Sequence, residues 1–224
     1  MASIKLILLI VCALFISISS KKTIEVHFES LCPGCQDFIQ HSFTAFSKAD
    51  QHSLLADVVF YPYGNAYQKQ SGNKWVFTCQ HGSNECFGNL IETCAVKKFN
   101  SESAYAFLSC LETNIGYYSN NFTNAANYCL TNYPADKTNL WNCVQSDEGN
   151  RLQHEVGLVT ERLKPAHQYV PWIVVDGVHD ANVEDAILND LLGYLCQDQT
   201  NIAACEGVNQ KFLFEKFTNK CYVN

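Results

Sequence analysis

The spacing of apolar and polar positions changes several times along the chain, and each change marks an element. Met1–Ser20 carries Lys5, an apolar run from Leu6 to Ile16 and the small-residue stretch Ser17-Ile18-Ser19-Ser20. That order predicts a secretory signal peptide cleaved close to Ser20. Its apolar run is shorter than the roughly 20 residues a bilayer span requires. Thr23–Glu29 (TIEVHFE) alternates polar with β-prone residues and predicts a strand. In Pro33–Ala49 the residues Phe38, Ile39, Phe43 and Phe46 recur near a 3.6-residue period, which predicts a helix. Val58-Val59-Phe60 predicts a second strand ending at Tyr61-Pro62-Tyr63-Gly64, and a right-handed βαβ unit is the economical assembly.

From about 68 to 164 the pattern turns helical and cysteine-rich. Helices are expected over Glu85–Phe99, over Ser101–Thr113 (opened by serines suited to N-capping), over Ala135–Val144 and over Arg151–Leu163, with Pro165 ending the last. Tyr169–Asp176 (YVPWIVVD) then predicts a strand, and Asp176-Gly177 a hairpin turn into Val178-His179. Asn182 is expected to cap a closing helix with Asp185 as its capping-box partner, followed by Ala186, Ile187, Leu191, Leu192 and Leu195. The order is β-α-β, helical insert, β-β-α. It gives a signal peptide at 1–20, a domain at 21–197 with its insertion at about 68–164, and a cysteine-containing tail at 198–224.

Composition narrows the function. The formal net charge is −7, and no basic run or aromatic-interleaved basic patch is present, so nucleic acid is not an expected partner. No segment after the signal is apolar for long enough to cross a membrane. The chain has 12 cysteines, and once Cys12 leaves with the signal 11 remain. Behind a signal peptide that density predicts a disulfide framework in an oxidising compartment. The odd number requires a thiol that is free, paired between chains in a disulfide-linked dimer, or removed with a processed end.

One pair differs from the rest. Cys32-Pro33-Gly34-Cys35 follows a strand and opens a helix. Unpaired N–H groups and the positive end of the helix dipole favour thiolate there. Cys32 is then the candidate nucleophile, and Cys35, one turn deeper, resolves the mixed disulfide. Pro33 suits a first turn, where its missing amide donor is not needed. The competing readings are a structural bridge, or half of a zinc site completed by Cys79, His81 and Cys86; free thiolate ligands are disfavoured in a disulfide-rich secreted chain. Pro171 stands directly before the apolar run Trp172–Val175. In thioredoxin-type folds a cis proline at this place lies beside the cysteine pair and leaves the preceding residue, here Val170, free to pair with a substrate strand. The expected fold class is therefore α/β, a thioredoxin-like core with a cysteine-rich helical insertion, with Val170 and Pro171 as substrate-binding residues.

A third constellation, Cys79-Gln80-His81-Gly82-Ser83-Asn84-Glu85-Cys86-Phe87-Gly88-Asn89 and on to Cys94, meets every fixed position of C-Q-H-G-x-x-E-C-x-x-N-x-x-x-x-C. With the upstream C-x-x-C it resembles the gamma-interferon-inducible lysosomal thiol reductase (GILT) family over roughly 23–197. The resemblance implies a soluble glycoprotein of the endosomal and lysosomal pathway that reduces protein disulfides at acidic pH. It implies Cys32 and Cys35 as the catalytic pair, no bound cofactor, and an external small-molecule or protein thiol as electron donor. Cys79, Cys86, Cys94, Cys110, Cys129, Cys143, Cys196, Cys205 and Cys221 are left as structural-bridge candidates. His81 is either a proton carrier or a hydrogen-bonded loop residue. Pro33-Gly34 departs from the Gly-Ala of mammalian members. Asn121-Phe122-Thr123 is the sole glycosylation sequon, so secretion stands beside lysosomal delivery. A DsbA-type oxidase or isomerase and a non-catalytic, disulfide-stapled binding module are the alternatives.

Overall fold

A computed structural model describes residues 21–50, 54–197, 199, 202–208 and 216–223. The expected signal peptide at 1–20 lies outside the described residues. The central sheet has the order β2-β1-β6, with β1 (Lys22–Phe28), β2 (Ala56–Pro62) and β6 (Trp172–Val175). β1 runs parallel to β2, with Val26 opposite Phe60, and antiparallel to β6, with Val26 opposite Ile173. As the middle strand, β1 has both edges hydrogen-bonded and its second half is buried residue after residue.

The segment joining β1 to β2 is helical as its period predicts, but in three pieces: α1 (Pro33–Phe38), a π-helical stretch (Ile39–Phe43) and α2 (Thr44–Ala49). Thr44 Oγ1 donates to the Ile39 carbonyl across the π stretch at 2.6 Å. Buried Ser42 donates to Ile187 O at 2.7 Å and accepts from Leu191 N–H at 2.8 Å. That amide is freed by non-helical Asp190 inside α8 (Ala181–Leu195), so one serine locks the two helices together.

The insert departs from expectation at its start. β3 (Tyr67–Ser71) and β4 (Lys74–Thr78) form an antiparallel hairpin where a helix was expected. Gly72, at φ +60°, supplies the left-handed turn residue. Five helices follow: α3 (Ser83–Lys98), α4 (Ser101–Asn114), α5 (Phe122–Cys129), α6 (Pro134–Val144) and α7 (Asp147–Glu161). α5 has no counterpart in the sequence reading. Asn100, rather than a serine, caps α4 by accepting from Ser103 N–H. The helices enclose an apolar cluster around Ile91, Phe107, Leu111, Phe122 and Leu140, separate from the cluster around the sheet, α1, α2 and α8.

The run from Tyr169 is also divided differently. Pro171 breaks it into β5 (Tyr169–Val170) and β6, and the Val170–Pro171 peptide is cis, as expected. Lys164–Pro165 is cis as well. The expected second hairpin strand reduces to one bridge, Val175 to Val178, because the chain turns at Asp176 and Gly177 and enters α8 at once. Asp180 caps α8 by accepting from the amides of Asn182 and Val183, so Asn182 is not the cap. β5 pairs outside the central sheet, with β7 (Cys221–Tyr222) from the far end of the chain.

Four bridges staple the molecule: Cys79–Cys86, Cys94–Cys143, Cys110–Cys129 and Cys196–Cys205. Eight of the nine structural candidates are thereby paired with one another. Cys79 and Cys86, weighed as zinc ligands with His81, are joined to each other. No described helix is long and apolar enough to cross a membrane.

Candidate functional site

Cys32 is the N-cap residue of α1, with extended backbone and Pro33 at the first helical position. Its sulfur is bonded to Cys221, 189 residues away, and not to Cys35. Cys221, a bridge candidate in the sequence, is thus joined to Cys32, and of the alternatives for the odd thiol the described residues show a free one, Cys35, fully buried. Burial first, and then the Glu29 carboxylate, push the Cys35 thiol well above its ordinary range, against a hydrogen bond from the Glu29 backbone.

Cis Pro171 lies next to this disulfide, with Cys32 Sγ 3.6 Å from the carbonyl oxygen of Val170. β7 runs antiparallel to β5 with Cys221 opposite Val170 and Tyr222 opposite Tyr169, and the Val223 amide donates to Gln168 O at 2.9 Å. Two side chains hold the carbonyls on the other side of this strand. Asn65 Nδ2 donates to Cys221 O at 3.0 Å and Gln80 Nε2 to Tyr222 O at 2.9 Å. Gly34 lies beneath the same segment; a Cβ there would stand 1.4 Å from the Asn219 carbonyl oxygen.

Glu29 closes the site from the end of β1. Its carboxylate, the Cys32 sulfur and the Cys221 sulfur lie within 4.8 Å of one another. Burial and then the Glu85 charge push its carboxyl up to about 8, against the pull of the Asn65 N–H, which Oε2 accepts at 2.9 Å. His81 Nδ1 is 2.5 Å from Glu85 Oε2 and 3.6 Å from Glu29 Oε1. His81 is thus a paired loop residue bridging two buried carboxylates. The three groups lie close enough to surround one cation, but their contacts to each other already account for their placement. Deeper in, Glu92 and Glu112 are fully buried side by side, and desolvation raises both.

The eight fixed residues of the sequence pattern acquire separate tasks. The Cys79–Cys86 bridge closes the loop carrying Gln80 and His81, and Gly82 turns it at φ +91°. Glu85 accepts the His81 amide at 3.0 Å. Asn89 accepts Ser30 N–H at 2.9 Å, tying α3 to the turn that presents Cys32. Cys94 anchors α3 to α6 through Cys143. Asn121, the sequon residue, is exposed and caps α5 by accepting from Asn124 N–H. Glu29, Asn65, Glu184 and Lys220 were missed by sequence reasoning; only Gln80 carried a signal, as a fixed position of the pattern.

A disulfide-stapled α/β protein organised around a buried free thiol and a second disulfide-bonded cysteine at the same helix start is, by class, a thiol–disulfide protein. Residues 23–133 match the family described as gamma interferon inducible lysosomal thiol reductase (GILT). A protein of Carassius auratus named gamma-interferon-inducible lysosomal thiol reductase is 37% identical over 183 residues, covering 80% of this chain and 68% of that protein. An Arabidopsis thaliana protein named gamma-interferon-responsive lysosomal thiol protein is 31% identical over 180 residues, 80% of this chain and 71% of its own. A Mus musculus protein with the same name as the first is 29% identical over 176 residues, 78% and 66%. The chain belongs to the GILT family.

Proposed function

We propose that this chain reduces protein disulfides, with Cys32 as nucleophile and Cys35 as resolving thiol, in the lysosomal or secretory pathway. The observation that carries the reading is the division between the two cysteines: Cys32 holds a disulfide to an extended strand, and Cys35 waits behind it as a buried free thiol. The β-α-β unit around β2-β1-β6, with cis Pro171 next to Cys32, supports a thioredoxin-like core over 21–67 and 165–197, an insertion at about 68–164 and a tail at 198–224.

The reaction balances in two exchanges. Cys32 thiolate attacks one sulfur of a substrate disulfide, forming a mixed disulfide and releasing the other sulfur as thiolate. Cys35, deprotonated, then attacks Cys32 Sγ, so a Cys32–Cys35 bond forms and the second substrate sulfur leaves. Two equivalents of an external thiol return the pair to dithiol and become a disulfide themselves. Glu29, protonated below about pH 8, is placed to hand a proton to a leaving sulfur. The N-cap place of Cys32 favours its thiolate, which suits work at acidic pH.

The test uses a Cys221→Ser background, so that the tail does not compete. There Cys35→Ser is expected to hold oxidised insulin on Cys32 as a stable mixed disulfide, and Cys32→Ser to hold none. Capture by Cys32→Ser would reverse the roles.

A further inference from the structure

The segment Lys216–Val223 occupies the face of Cys32 as a bound strand would. Its backbone uses the amide and carbonyl partners on β5 and the side-chain donors of Asn65 and Gln80, and its cysteine is bonded to Cys32. Main-chain contacts of this kind accept any sequence, so selectivity falls to side chains. Phe217 is buried in the apolar cluster and its amide donates to Asp185 Oδ1 at 3.3 Å, while Lys220 is received by charge. Lys220, immediately before Cys221, places Nζ 2.7 Å from Glu184 Oε1 and 3.2 Å from Asp185 Oδ1. The same ammonium sits 4.2 Å above the Tyr169 ring centroid, a cation–π contact. Only 4% of the Lys220 side chain is exposed, and that of Glu184 is fully buried.

The other groups around Glu184 leave that place open for a cation. Its second oxygen accepts the Ile173 amide at 3.0 Å, and His179 Nδ1 stands 3.5 Å from that same oxygen. When Lys220 departs, Glu184 keeps the neutral donors Ile173 N–H and the Tyr169 hydroxyl but faces Asp185 with no ammonium beside it, and a buried charge is costly without a cationic partner. The requirement therefore passes to whatever strand replaces the tail.

We propose that Glu184, Asp185 and Tyr169 form a subsite for the cationic side chain of a residue immediately preceding the attacked cysteine of a protein substrate, and that Lys216–Val223 is an internal pseudosubstrate filling it. The proposal rests on Cys32 being the nucleophile. Release needs no outside oxidant. Cys35 thiolate attacks Cys32 Sγ, the Cys32–Cys221 bond breaks as Cys32–Cys35 forms, and Cys221 leaves with the electron pair and takes up a proton. The external thiol then reduces Cys32–Cys35 and emerges as its disulfide.

The experiment uses the chain carrying Lys220→Ala and Cys221→Ser, which removes the ammonium and the disulfide that hold the tail against Cys32. Its probes are peptides whose cysteine is joined to thionitrobenzoate, with Lys-Cys, Ala-Cys or Glu-Cys sequences. The kcat/KM for Lys-Cys is expected to exceed that for Ala-Cys by about ten- to a hundredfold, with Glu-Cys slowest, from the usual strength of charge-assisted bonds. Adding Glu184→Gln, which keeps an acceptor for the Ile173 amide, is expected to bring the Lys-to-Ala ratio close to one. A ratio within one variant is insensitive to its folded fraction. Equal rates before Glu184 is changed, or a ratio that survives Glu184→Gln with Asp185→Asn, would overturn the subsite while leaving the reductase standing. No turnover of any peptide would overturn both. For the pseudosubstrate, disulfide mapping of the full chain purified without reductant is expected to recover Cys32 joined to Cys221; recovery of Cys32–Cys35 alone would overturn it.

Discussion

Replacing Glu29 by Gln should flatten the dependence of stability on pH. The Glu29 side chain is fully buried beside the Cys32 disulfide, and its carboxyl is pushed up from the ordinary 4.5 to about 8, by burial and then by the Glu85 charge. Below about pH 4.5 folded and unfolded chains both carry the proton. Between about 4.5 and 8 the folded chain holds it while the unfolded chain has lost it, so stability falls as pH rises. From about pH 5 to about pH 8 that linkage amounts to roughly 3 to 4 kcal/mol for this single group. Gln keeps an acceptor for the Asn65 amide and removes the ionisation. Glu92 and Glu112, raised in the same direction, and buried His27 and His167, lowered by desolvation so that they destabilise the fold below about pH 6.5, titrate in both chains and cancel in the comparison. The assay is urea unfolding followed by far-ultraviolet circular dichroism, without reductant, at both pH values. The stability lost between them is expected to be roughly 3 to 4 kcal/mol smaller for Glu29→Gln than for the unmodified chain. Losses equal within about 1 kcal/mol would refute the assignment of a neutral buried carboxyl at this position.

Gly34→Ala would bring a Cβ to 1.4 Å from the Asn219 carbonyl, so the tail should be expelled and Cys221 should react with a maleimide in the oxidised full chain. An unreactive Cys221 in that variant would show that the tail passes elsewhere. Removing the Cys94–Cys143 bridge with a pair of serines should cost about 4 kcal/mol, since it spans a separation of 49 residues, and urea midpoints measure the loss. In the reduced Cys221→Ser chain, alkylation of Cys32 should titrate with a midpoint well below 7, as its N-cap position favours thiolate. A midpoint near 8.5 would instead favour an enzyme of neutral compartments.

The features legible in the sequence were those settled within a few residues. Apolar spacing near 3.6 placed α1–α2, α3, α4, α6, α7 and α8, because each helix buries one stripe of its own surface. Cys32 at the start of α1, Pro171 before β6 and the eight fixed residues between Cys79 and Cys94 were visible in the same way. The β3–β4 hairpin was also local, but its strands are mostly exposed, so burial left a weak alternation to read. The Tyr169 run looked like one strand because composition does not reveal that Pro171 turns β5 away from the sheet to meet β7.

Only the tertiary structure decided the partner of Cys32. With 12 cysteines, sequence cannot assign pairing, and Cys221 reaches Cys32 through strand pairing across 189 residues. The same holds for the carboxylates that matter. Nothing in the neighbours of Glu29 marks its carboxyl for protonation, and Glu184 reads as an ordinary first-turn acid on a capped helix. Their properties come from what is packed against them: Glu85 and Asn65 around the first, Ile173 and Lys220 around the second. Local periodicity sets which side chains point inward. The electrostatic character of a buried group depends on desolvation and on charges brought from distant segments, and these exist only once the chain has folded.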